Sequence, residues 1–224
     1  MVLVGLSLSV GPLQAAEPPS RESVQTSLDK IADRKLPEAE QKALQSVLQG
    51  TLTQLNNQRD YEQKLSDLKQ QLATAPKQTI ENQRELTRLK ASAVVPVSQR
   101  FAKESIQQLE QMLTERSTQQ SDLQKALADA NSLIITAQTR PERAQAEISA
   151  SQTRIQQINN ILKTGKDAGK TLSGEQRDQL NAELAALNAL IPLRRQELAG
   201  NTQLQDLGNS QHDLLSEKSD RLDQ

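Results

Sequence analysis

The sequence predicts an all-α protein of elongated antiparallel helical hairpins with coiled-coil-like packing, and three observations carry that reading. Only Tyr61 and Phe101 are aromatic among 224 residues, and 35% of the chain is hydrophobic. Aromatic rings each bury a large apolar area, so a chain that nearly lacks them must bury leucine, isoleucine, valine and alanine along narrow seams. Glutamine, alanine, leucine, serine and charged residues dominate, with eight glycines and eight prolines, so most segments consist of good or neutral helix formers. Apolar residues recur at steps of three and four over long stretches, the spacing of one helix face.

Pro18, Pro19 and Ser20 form a stop followed by a cap, and Val24, Leu28 and Ile31 follow at helical spacing, which predicts a short first helix. Pro37 can open the next helix at its first turn, where a missing N–H costs nothing. Leu44, Val47, Leu48, Thr51, Leu52, Leu55, Leu65, Leu68 and Leu72 then make a stripe, interrupted by Gln58 and Glu62. Ala75-Pro76 is expected to break that helix, with a shorter one carrying Ile80, Leu86 and Leu89 after it. Ser98 is read as the N-cap of a long helix carrying Phe101, Ile106, Leu109, Met112, Leu113, Leu123, Leu127 and Ile134. Pro141 is expected to restart the chain before Ile148, Ile155, Ile158 and Leu162. Thr164 to Gly174 is the clearest loop, closed by Ser173 with Gln176 three residues on, the pattern of a capping box. The helix from about Gly174 carries Leu180, Leu184, Leu187, Leu190 and Ile191, and Pro192 should kink it. Gly200-Asn201-Thr202 reads as a C-cap and a fresh N-cap before Leu204, Leu207, Leu214, Leu215 and Leu222. That last pattern still runs at Gln224, so the helix is expected to continue past it. A break near 140 or at 164–174 is where residues 17–224 would divide into two sub-bundles.

The 27 Lys and Arg nearly balance the 28 Asp and Glu, and the signs are interleaved, so no strong field exists to gather nucleic acid. The absence of cysteine excludes a disulfide framework and a thiolate zinc site. Met1 to Leu13 is an uncharged apolar run, and Leu13-Gln14-Ala15-Ala16-Glu17 offers small residues for a signal peptidase. Residues 1–16 are therefore expected to be a secretory signal whose positively charged n-region is missing, and residues 17–224 a periplasmic helical region. The apolar run is too short for a span, which needs about 20 residues, and no other stretch of the sequence could cross a membrane.

Catalytic chemistry finds few candidates. His212 is the only histidine and sits beside Asp213, the setting of a solvated side chain rather than of a metal ligand or triad base. Gly165-Lys166-Asp167-Ala168-Gly169-Lys170-Thr171 resembles a phosphate loop, but has three residues between its glycines where four are needed and follows a helix instead of a strand. A plain helix-helix turn is the better reading. Glu104, Glu110, Glu115 and Asp122 have Lys, Arg or Gln neighbours at helical spacing and read as solvated faces. Lys166, Lys170, Arg194 and Arg195 lack interleaved aromatics for stacking on bases. No enzyme, cofactor or metal site is predicted. The residues expected to matter are a packing seam, Leu48, Leu55, Leu109, Leu113, Ile155 and Leu187, whose first role is ordinary core packing.

Thr139-Arg140-Pro141-Glu142-Arg143 leading into an isoleucine- and glutamine-rich helix, and Leu198-Ala199-Gly200-Asn201-Thr202 followed by Leu204-Gln205-Asp206, resemble a known family. It is the N-terminal periplasmic, so-called porin, domain of the large potassium-dependent, MscK-type channels of the small-conductance mechanosensitive (MscS) family. The resemblance covers roughly Ser20 to Gln224 and is strongest after Thr136. It implies a subunit whose periplasmic helices precede transmembrane helices and a pore in the bacterial inner membrane, assembled as a homo-heptamer that opens under tension during osmotic downshock. The pore-forming part is not in this sequence, so no pore residue is carried over. Within that frame two roles are open: a periplasmic extension of a channel that contributes to assembly or gating, with contacts to neighbouring subunits or the cell wall, or a free periplasmic coiled-coil adaptor that tethers or activates envelope complexes.

Overall fold

A computed structural model describes residues 17–94 and 97–223, so the expected signal segment lies outside the described residues. The chain is all-α. In order it forms α1 (Arg21–Asp29), a 3₁₀ turn (Ala32–Arg34), α2 (Glu38–Ala91), α3 (Val97–Arg100), α4 (Ile106–Thr164), a hairpin of β1 (Lys166–Asp167) and β2 (Lys170–Thr171), and α5 (Gly174–Asp223). The starts of these helices follow local chemistry. The Ser20 hydroxyl accepts from the Ser23 N–H and caps α1. Ser173 and Gln176 form the reciprocal capping box at the head of α5. The same device opens α4: the Gln108 N–H donates to Ser105 Oγ, and Gln108 Oε1 accepts from the Ser105 N–H. This corrects the expected start at Ser98, which belongs instead to the one-turn α3.

Three expected breaks are absent: α2 runs through Pro76, α4 through Pro141, and α5 through the Gly200-Asn201-Thr202 sequence. α5 also stays helical across Pro192, the site of the expected kink. A proline inside a helix costs about 3 kcal/mol. Burying a single leucine-sized side chain contributes about 1.5–3 kcal/mol, so a few buried residues on either side outweigh it. Ala137, Ala144 and Ile148 flank Pro141, and Leu190, Ile191 and Leu193 surround Pro192, all of them buried. Gly200 has a different reason for being glycine. A Cβ there would overlap the Leu72 side chain, so the residue permits close approach of α2 and α5 instead of ending a helix.

The loop before α5 is tighter than a plain turn. Lys166 pairs with Thr171 and Asp167 with Lys170, around Ala168 and Gly169, both at positive φ (46° and 82°). That is the backbone of a type I′ hairpin, in which both central residues are left-handed. Gly165, also at positive φ, ends α4, and its carbonyl accepts from the Leu172 N–H at 3.0 Å.

Contacts divide the chain into two compact units, one of residues up to Asp60 with Gln152–Ala189, the other of Tyr61–Ser151 with Leu190–Gln224. In the first, Val24 and Ile31 pack with Leu48, Leu55 and Ala182, and Leu28, Leu44 and Leu52 border them. Thr51 is fully buried there and donates its hydroxyl to the Val47 carbonyl. In the second, Leu68, Leu72, Leu193 and Leu204 form the core, with Tyr61, Leu65 and Leu133 beside it. Here α2 and α5 run parallel with constant offset. Asn82 Nδ2 donates to Ser210 Oγ, 128 residues apart, and Arg221 Nη1 to Ser92 Oγ, 129 apart. α4 runs antiparallel to α5, and it faces α5 with two columns spaced by seven residues: Leu123, Ala130, Ala137 and Ala144 in one, Leu127, Ile134, Pro141 and Ile148 in the other, all buried or half-buried. A seven-residue repeat of this kind is the signature of coiled-coil packing.

Candidate functional site

The most unusual chemistry in the chain is a charged cluster in the second unit. Arg140, Arg143 and Glu147 come from α4, and Arg194 and Glu197 from α5. Within each helix the spacing is three or four residues, which sets charges on one face. Arg194 Nη1 donates to both oxygens of Glu197, at 3.0 and 2.9 Å, and Arg194 Nε donates across to Glu147. Arg140 Nε lies 3.9 Å from Glu197, and Arg143 Nε lies 3.9 Å from Glu147. The Arg140 and Glu197 side chains are only 14% and 11% exposed. Burial works against the Arg194 charge, but the hydrogen bonds and fields of Glu197 and Glu147 outweigh it and raise its pKa above the usual arginine value. Arg140 is the least satisfied member: its Nε and Nη1 are buried and make no hydrogen bond.

Beside Arg140 lies a cavity of about 660 Å³ lined in part by Gln71, Asn82, Asp129, Ser132 and Gln211. Its polar groups are amides, hydroxyls, the Asp129 carboxylate and the Arg140 guanidinium. Among the described residues no group of three His, Cys, Asp or Glu is placed to hold a metal ion. What the cluster can do is mechanical. Cross-helix charge pairs of fixed geometry set the register of α4 against α5, since a slip in either helix leaves a buried charge uncompensated.

The first unit carries its ion pairs nearer the surface. Arg154 Nε and Nη2 grip Glu183 in a two-pronged pair at 2.7 and 2.9 Å, which raises the Arg154 pKa. Arg34 donates to Glu175 at 2.8 Å and holds that carboxyl below its ordinary value, helped by the backbone at the head of α5. Asp178, three residues on, shifts the opposite way: partial desolvation pushes it up, with the Glu175 charge adding to the effect.

The seam residues expected from sequence separate into three groups. Leu48 and Leu55 lie in the first unit's core, and Ile155 and Leu187 are half-buried. Leu109 and Leu113 are exposed, at 38% and 70%. His212 Nδ1 is 3.6 Å from its neighbour Asp213, on a half-exposed surface. The loop that resembles a phosphate site is the two-residue hairpin described above. The charged cluster itself was missed, although Arg143 with Glu147 and Arg194 with Glu197 stand at visible helical spacings.

The family model described as the mechanosensitive ion channel porin domain matches residues 27–224. The chain belongs to that family. It is 31% identical over 207 residues, 92% of its length, to the mechanosensitive channel MscK of Escherichia coli strain K12. It is also 31% identical over 216 residues, 94% of its length, to an uncharacterized MscS family protein of Haemophilus influenzae Rd. The chain spans 18% and 19% of those two relatives, so it corresponds to one part of much longer proteins. No solved structure matches it. The porin-domain segment is thus an MscK-type domain of the MscS family, and its all-α build gives the word porin no structural meaning here. Both motifs that suggested the family contribute to the second unit: Arg140 and Arg143 to the charged cluster, Gly200 and Leu204 to the contact with Leu72.

Proposed function

We propose that this domain is the periplasmic helical extension of a mechanosensitive channel subunit of the bacterial inner membrane, and that it contributes to assembly or gating of an osmotic safety valve. The observation that carries this reading is the family match over residues 27–224, together with relatives about five times longer, one of them called a mechanosensitive channel. The buried cross-helix charge cluster supports it in physical terms: it favours a domain that holds one helix register over one that binds and releases a small molecule. A homo-oligomer, the heptamer of the family resemblance, follows for the whole subunit, with contacts to the cell wall as a further part of the same reading. Among the described residues no helix is long and apolar enough to cross a membrane, so any pore has to come from elsewhere in such a subunit. The free-adaptor alternative has no observation of its own in its favour.

The test is electrophysiological. The whole subunit, with and without residues 27–223, is compared in membrane patches for the pressure at which it opens, and in detergent for the size of its assembly. Removal is expected to shift the opening threshold or lower the yield of the full oligomer. Unchanged threshold and unchanged assembly overturn the proposal.

A further inference from the structure

The two seven-residue columns of α4 do not stop where their burial stops. Upstream of Leu123 and Leu127 the same steps of seven give Arg116 and Leu109 in one column, and Gln120, Leu113 and Ile106 in the other. Leu109, Leu113 and Ile106 are 38%, 70% and 78% exposed, whereas Ala130, Ala137 and Ala144 of the first column are at most 3% exposed. Arg116 and Gln120 interrupt the columns where they meet the end of α5, and the seven-residue spacing then resumes with apolar residues that stand bare, the pattern of a seam that lacks its partner.

The register identifies the missing partner. Down the antiparallel pair, Glu147 of α4 meets Arg194 of α5, Ile134 meets Gly208, and Arg116 Nη1 donates to the Leu222 carbonyl at 2.9 Å. Gln120 also reaches Asp223, the last described residue of α5. Leu113, Leu109 and Ile106 precede Arg116 by three, seven and ten positions. They therefore face the places that roughly the third, seventh and tenth residues past Leu222 would take if α5 kept its course for about 15 Å more. α2 does not supply this cover: it ends at Ala91, level with Arg221, whose guanidinium donates to the Ser92 hydroxyl and carbonyl. A groove between Leu123, Ala126 and Leu222 opens where the described part of α5 ends. Arg116 presents no obstacle, because a carbonyl oxygen has two lone pairs and can take both a guanidinium and a helical N–H.

We propose that Ile106, Leu109 and Leu113 are the docking face for a direct helical extension of α5, made by the residues that follow Gln224 in the whole subunit, which carry apolar side chains at the matching steps of three and four. The relatives, of which this chain spans under a fifth, have ample length for it. The proposal goes beyond the channel reading and does not depend on gating.

Two measurements test it. Cysteines placed singly at Leu109, Leu113 and, as a control on another face, Glu110 are reacted with a maleimide in the 224-residue chain and in the subunit expressed from its whole reading frame. The control should react alike in both, while L109C and L113C should react about tenfold or more slowly in the whole subunit, the protection expected of a buried helical seam. Leu113→Cys is then combined with cysteines at successive positions after Leu222 and oxidised. Disulfides should form within one subunit, with yields that rise and fall every three to four residues, as a helix lying along α4 requires. Equal maleimide rates in the two proteins overturn the proposal, as does a reading frame that ends at Gln224. Disulfides only between differently tagged subunits overturn it too and assign the face to a second copy.

Discussion

The two units are made of the same three long helices yet are held together differently. The first unit buries a dry aliphatic cluster around Leu48 and Leu55 and leaves its Arg34–Glu175 and Arg154–Glu183 pairs at 22–40% exposed, at its margin. The second buries Leu204 and Leu193 but sets Arg140, Arg194 and Glu197 nearby at 11–17% exposure. An exposed pair gains little, because water screens it and two long side chains must be ordered. A buried pair is expensive to form and more expensive to break. The difference teaches where specificity resides: the first unit's charges are dispensable for its packing, while those of the second penalise every register but one.

The largest expected effect comes from removing one member of the buried cluster. Glu197→Ala strips Arg194 and Arg140 of their shared carboxylate, and should lower the unfolding free energy by about 3–5 kcal/mol, the usual cost of leaving a buried charge unpaired. Glu183→Ala in the first unit removes an equally well-formed pair at the surface and should cost about 1 kcal/mol or less. Urea unfolding of the two variants, followed by circular dichroism, checks the contrast. Equal losses would mean that the cluster is solvated and that the distinction between the units is false.

Next in size is the aliphatic core. Leu204 is fully buried, and Leu204→Ala should cost about 2–5 kcal/mol. Leu113→Ala in the same unit changes a side chain 70% exposed, and in the 224-residue chain should stay within about 0.5 kcal/mol. Thermal or urea melts of both give the answer, and a large loss at Leu113 would show that something already covers that face.

Much of this architecture was legible along the chain. The Ser20 cap, the Ser173–Gln176 box and the glycine-marked loop are local devices, settled by neighbours three or four positions away, and each stands where sequence places it. The absent breaks share one cause. Pro76, Pro141 and Gly200 carry a local signal for a break, but the contacts that override it, such as Leu72 against Gly200, join residues 128 positions apart. Ser105 with Gln108 spells the same box found at Ser173, a local signal stronger than the lone Ser98. Within the charged cluster the steps along one helix are visible, but which helix answers is not. The seam at Leu109 and Leu113 follows the correct period, yet both side chains are exposed, because period alone does not say what lies opposite.

The smallest expected effect sharpens the account of the first unit. Glu175 has its pKa lowered by Arg34, so its contribution to stability is present above the ordinary carboxylate range and disappears as pH falls through that range. Arg34→Ala should therefore cost about 1 kcal/mol or less at pH 7, and the gap from the parent chain should close as pH falls below the ordinary carboxylate range, where Glu175 takes up its proton in both proteins. Asp178 has the opposite sign. Its pKa is raised, so the folded state holds its proton more tightly than the unfolded one, and stability is lost as pH rises through the folded value. Asp178→Asn should thus be neutral to stabilising at pH 7, with its advantage vanishing in acid. Urea midpoints measured for both variants across that window separate the two carboxylates. If the Arg34→Ala gap were as wide in acid as at neutral pH, Arg34 would be acting through its packing against the unit and not through its charge.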